Sequence, residues 1–126
     1  MSKTAENFTE RRLDKYSGSA NKYTEFFSTY GPDELMMVLA DYLDNMEDAE
    51  KTIVADEKTY KFSFTCLKDV EELKFDVKIM TTDNSEINAV SFTKNSGSKI
   101  EFLELYEKLI ADLPDLADSL SPNSTN

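Results

Sequence analysis

Residues 90–113, VSFTKNSGSKIEFLELYEKLIADL, change their apolar period partway along. Val90 and Phe92 alternate with Ser91 and Thr93, the two-residue period of a strand with one covered face. Beyond Gly97, apolar residues recur at three- and four-residue steps: Ile100, Leu103, Tyr106, Ile110 and Leu113, with Phe102, Leu105 and Leu109 widening the stripe. Gly97 supplies the turn. Ser98 and Glu101 have capping-box spacing, which satisfies backbone N–H groups at a helix start. Pro114 lacks a donor and stops the helix. A strand therefore runs through a glycine turn into a capped amphipathic helix.

The same two periods organise the chain upstream. Tyr60, Phe62, Phe64 and Cys66 alternate with Lys61, Ser63 and Thr65, and Leu73, Phe75, Val77 and Ile79 alternate with Lys74, Asp76 and Lys78. Breaks at 55–58, 68–69 and 82–85 separate these strands, and Thr52–Ala55 reads as a further one. Connections this short suit an antiparallel meander, because parallel neighbours need a long crossover. Tyr30-Gly31-Pro32-Asp33-Glu34 reads as a helix start, with proline at the first helical position and acids near the positive end of the dipole. Leu35, Val38, Leu39, Tyr42 and Met46 then place a helix over 32–46.

The expected architecture is α+β: a four-stranded antiparallel sheet with an N-terminal and a C-terminal helix packed on one face. Residues 1–22 read as a flexible polar tail or linker, 23–118 as the domain, and 119–126 as a disordered tail. Phe26, Phe27 and Tyr30 are expected to pack beneath the first helix. A docking motif is the other reading of those three.

Of 126 residues, 25 are acidic and 14 basic, a net charge of −11. Residues 31–50 carry seven acids and no base, and residues 100–126 carry six acids against Lys108, whereas 51–99 balance at eight each. The acidity thus lies on the two helices, in a face that includes Asp41, Asp44, Asp48, Glu104 and Glu107. A binder of duplex nucleic acid needs basic residues to displace counterions, so nucleic acid is not expected as a partner. The open sheet face is expected to be mildly basic through Lys61, Lys74 and Lys78. Absence of a long apolar run and the single Cys66 point to a cytoplasmic or nuclear protein.

The chain has no histidine, which removes the commonest general base and the imidazole ligands of zinc. Its glycines, at 18, 31 and 97, form no phosphate loop. Cys66 falls on the apolar side of a strand, where a packing role is expected. Asp41, Asp44 and Asp48 read as a solvated helix face rather than a calcium loop, and Asp83-Asn84-Ser85-Glu86 as a turn. No catalytic residue, metal or cofactor is expected.

Two stretches carry a resemblance. NAVSFTKNSGSKIEFLELYEKLIADL resembles the end of the kinase-associated domain 1 fold, found at the C-termini of several serine/threonine kinases. Val90, Phe92, Lys94, Gly97, Ile100, Glu101 and Phe102 match its pattern. TEFFSTYGPDELMMVLADYL resembles that family's first segment through Thr24, Phe26, Ser28, Pro32, Glu34 and Leu35, while Glu25 stands where the family usually has arginine. The similarity spans about residues 24–118 and looks closest to checkpoint kinases and to plant kinases regulated by calcium sensors.

That resemblance implies a non-catalytic regulatory domain. It would bind a kinase domain or regulatory subunit and restrain activity, the acidic helical face meeting a basic lobe. The alternative is a peripheral module that binds anionic phospholipid through Lys61, Lys74 and Lys78, with Arg11, Arg12 and Lys15 assisting. Basic residues near an anionic surface are worth about 1 kcal/mol each.

Overall fold

Phe62, Phe64, Phe75 and Phe92 are almost wholly buried, and the sheet is built around them. A computed structural model of the chain describes residues 14–16, 24–46, 50–56, 58–68, 71–84 and 86–116. Its elements are β1 (Asp14–Lys15), β2 (Glu25–Ser28), α1 (Pro32–Asp44), β3 (Glu50–Asp56), β4 (Lys61–Lys68), β5 (Glu71–Thr81), β6 (Asn88–Ser96) and α2 (Lys99–Asp112). The sheet order is β2-β6-β5-β4-β3, with β1 paired to β5 off this path.

Strands β3 to β6 form the expected antiparallel meander. The sheet nevertheless has five strands along its main path, not four. The addition is β2, which pairs antiparallel with β6, setting Phe26 opposite Val90. Glu25 and Phe27 are half-buried while Phe26 and Ser28 are buried, an alternation that the adjacent phenylalanines conceal. Pairing on both sides makes β6 an interior strand, and Asn88 through Phe92 are all buried. The Thr24 hydroxyl donates to Phe92 O at 2.9 Å and extends the seam.

The polar stretch 1–22 is not wholly a tail. Asp14 and Lys15 pair in parallel with Met80 and Thr81. The Tyr16 N–H continues the ladder to Thr81 O at 2.8 Å. Residues 119–126 lie outside the described residues.

Helix α1 carries the chain from β2 at one edge of the sheet to β3 at the other. Thirteen residues rise roughly 20 Å, and four inter-strand spacings amount to roughly 19 Å, so the helix is as long as the sheet is wide. Its buried residues, Leu35, Leu39 and Leu43, follow one helical line. In α2 the buried residues are Phe102, Tyr106 and Leu109. The Phe102 ring lies 5.4 Å from Phe75 and the Tyr106 ring 5.1 Å from Phe92. Residues of both helices and the inward residues of the strands form one buried cluster.

Ile100 departs from the expected apolar stripe: it is 70% exposed. Two residues separate it from Phe102, a rotation of roughly 200°, so one of the pair must face outward. The Ser98 hydroxyl accepts the Glu101 N–H at 3.2 Å and caps the helix as its spacing implies. Gly97 has φ 107°, and a Cβ there would stand 2.6 Å from Glu72 O. Glycine is thus required twice, by its own backbone and by the neighbouring strand.

Candidate functional site

The three lysines expected to form an anion surface are brought together. Lys61 lies directly opposite Lys78 across β4 and β5, and Lys74 opposite Thr65 on the same face. Like charges in direct opposition repel, and Asp76 intervenes. It accepts 2.7 Å from the Ser63 hydroxyl on Oδ1 and meets Lys61 Nζ at 3.6 Å on Oδ2.

This face is not the mildly basic surface expected from the lysines alone. Strand register also places Glu25, Glu50, Asp56 and Glu72 there with Asp76. Asp76 is expected there from its alternation with Lys74 and Lys78, whereas the other four read as isolated surface charges in the sequence, and only strand pairing shows that they share the face. An open groove of about 690 Å³ crosses the same surface between Val54, Ser63, Thr65, Glu72, Lys74 and Asp76. Among the assisting basic residues, Lys15 Nζ is 2.7 Å from Asp83 Oδ1, whose bond and charge raise the lysine pKa. Arg11 and Arg12 lie outside the described residues.

The N-terminal segment also reaches this face. Tyr16 donates 2.9 Å to Glu25 Oε1, and its ring stands edge-on to Phe27 at 5.5 Å. Phe26 and Phe27 therefore point to opposite faces of β2. Of the three residues expected beneath the first helix, Phe26 joins the core, 6.4 Å from the Phe92 ring, Tyr30 packs partly buried against that core, and Phe27 does neither.

On the helices, Asp41, Asp44, Glu104 and Glu107 are all exposed, while Asp48 lies outside the described residues. Asp33, Met37, Asp41 and Asp44 recur at helical steps along the outer line of α1, beside Glu34. Met37 is 64% exposed. Its two-residue offset from both Leu35 and Leu39 puts it opposite the buried line, a signal that the Met36-Met37 doublet obscures. On α2, Ile100 stands among Glu101 and Glu104 in the same manner. Both helices thus present an exposed apolar side chain among carboxylates.

The remaining residues singled out from the sequence have structural places. Val90 and Phe92 are buried on β6, Pro32 opens α1, and Glu34 is exposed in its first turn. Cys66 is buried and forms no disulfide. Among the described residues no group of three acidic, cysteine or histidine side chains is placed to hold a metal. No described helix is long and apolar enough to cross a membrane. No protein-family model and no curated protein matches this chain.

Proposed function

We propose that the chain is a non-catalytic regulatory domain whose acidic helical surface binds a basic protein surface, namely a serine/threonine kinase catalytic domain or a partner subunit of one. The carrying observation is Met37, exposed on α1 within a line of Asp33, Asp41 and Asp44. Interfaces draw their affinity from apolar anchors that lose water on contact. The charges around such anchors set on-rate and partner choice more than affinity. A chain of net charge −11 would steer toward a basic partner and away from its own copies.

The run from α1 through the antiparallel meander β3 to β6 into the closing α2 supports the kinase-associated reading, although β1 and β2 precede α1. We propose with it that both helices lie over the sheet face that bears the phenylalanines, since both contribute residues to the one buried cluster. Restraint of the kinase is the mode we propose: a docked acidic surface occludes basic positions on the catalytic lobes. The anionic-lipid reading draws on the grouping of Lys61, Lys74 and Lys78, but Asp76 and its acidic neighbours oppose it on that same face.

The test is titration of the full chain into a serine/threonine kinase catalytic domain at low and physiological salt. The expected result is binding that weakens with salt and falls at least tenfold for Asp33→Lys/Asp41→Lys. Undiminished binding by that variant would remove the acidic face from the interface. Binding to phosphatidylserine vesicles instead, lost on reversing Lys61, Lys74 and Lys78, would favour the lipid reading.

A further inference from the structure

Strand β3 ends the sheet. Among the described residues β4 is its sole partner, so one edge of a seven-residue strand faces outward. Edge strands offer a row of backbone donors and acceptors, and proteins commonly blunt them with proline, bulges or lysine. Here Glu50–Asp56 contains no proline, and its register with β4 runs without a shift from Glu50–Leu67 to Asp56–Lys61. Its one base, Lys51, is turned back, the ammonium donating to Met46 O. The exposed charges left on the strand are Glu50 and Asp56, one at each end.

We propose that the β3 edge accepts an extended segment of a partner protein as a sixth strand of the main sheet, and that this segment is basic at both ends with β-branched residues between them. Glu50, Thr52, Val54 and Asp56 share the face opposite the core, and Val54 is 65% exposed. An antiparallel strand laid along β3 sets its alternate residues against these four in turn. Cross-strand pairing then asks for a cation opposite Asp56, a β-branched residue opposite Val54, a threonine opposite Thr52 and a cation opposite Glu50. Val54 stands at the rim of the open groove on this face, and the apolar residue of the added strand covers its exposed side chain from the outer edge.

A second copy of the chain does not meet this requirement. Antiparallel self-pairing centred on Ile53 sets Glu50 against Asp56 of the other copy at both ends, two like-charge oppositions. That register is closed to a second copy, and the net charge of −11 opposes self-association in any other, so the occupant is a different polypeptide. The site is separate from the helical surface proposed above.

The experiment uses a fluorescent peptide Lys-Ser-Val-Ser-Thr-Ser-Lys and its counterpart with glutamate at both ends. Anisotropy is read against the full chain, against Glu50→Lys/Asp56→Lys, and against Glu86→Lys/Asp115→Lys, which changes net charge equally at exposed positions outside β3. The lysine-ended peptide should bind the wild type and the Glu86/Asp115 variant alike. It should lose about tenfold in affinity on the Glu50/Asp56 variant, which should prefer the glutamate-ended peptide. Hydrogen exchange should show new protection confined to residues 50–56. Absence of binding to the wild type, equal loss in both variants, or protection elsewhere would each overturn the proposal.

Discussion

The Tyr42 hydroxyl donates a 2.7 Å hydrogen bond to Asp112 Oδ2, joining α1 and α2 near their C-terminal ends. A carboxylate at a helix C-terminus faces the negative end of the dipole and needs compensation. Asp112 receives it from Tyr42 and from Lys108, 3.3 Å away. The Tyr42 bond and then Lys108 hold its carboxyl below the usual range. Tyr42→Phe should therefore move the Asp112 titration upward, toward the ordinary carboxylate value. Carbon-detected NMR of the side-chain carboxyl reads this, and an unmoved titration would show that the bond is absent in solution.

Alkaline stability follows from two tyrosines. Tyr42 is pushed up to about 12 by burial, then by its bond to Asp112 and that residue's charge. Tyr106 is pushed up to about 12 by burial, then by the charge of Glu25. A raised folded pKa means that the stabilisation is fully present below the unfolded value near 10. It is lost as pH rises from about 10 through about 12. Urea midpoints should fall across that window, and Tyr42→Phe should flatten part of the fall. Tyrosinate absorbance should show Tyr42 and Tyr106 titrating late, with one late step lost in Tyr42→Phe.

Gly97 is the least replaceable turn residue. Alanine there combines an unfavourable positive φ with a Cβ 2.6 Å from Glu72 O and 2.9 Å from Leu73 Cα. Strain and overpacking together should cost about 3 kcal/mol. At Gly31 a Cβ would meet nothing nearer than Glu34 Oε1 at 4.0 Å. Gly31→Ala should change stability by less than about 1 kcal/mol. Paired denaturant titrations check the contrast.

Phe75 holds the core together. Its ring lies 5.1 Å from Phe64, 5.7 Å from Phe92 and 5.4 Å from Phe102, linking three strands to α2. Phe75→Ala should destabilise by about 3–5 kcal/mol, a large share of the roughly 5–15 kcal/mol typical of a domain. Thermal unfolding should show the loss, with Phe75→Leu falling between the alanine variant and wild type.

Strands with strict alternation were legible in the sequence, as were the helix start at Pro32 and the junction through Gly97 and Ser98. Those signals are local, and each follows from the periodicity or backbone geometry of a single segment. Strand β2 was not legible, because four residues with adjacent phenylalanines show no alternation until β6 pairs with them. The Tyr16 contact with Phe27 and Glu25 joins a polar segment to a short strand, and no spacing rule connects the two. The lysine cluster was legible as a set. Asp76 was legible beside it by alternation, but Glu25, Glu50, Asp56 and Glu72 were hidden because their proximity depends on which strands lie side by side. Met37 was missed because the Met36-Met37 doublet obscures its phase, two residues from each of the buried leucines.

The most direct test of a regulatory role is phosphotransfer by a serine/threonine kinase catalytic domain of the checkpoint or calcium-sensor-regulated type, measured with the full chain added. The wild-type chain should lower the rate in a saturable manner, and Met37→Glu, an exposed substitution compatible with folding, should relieve that restraint. A rate unaffected by the wild-type chain, or lowered equally by both, would contradict the assignment of the α1 surface as the regulatory contact.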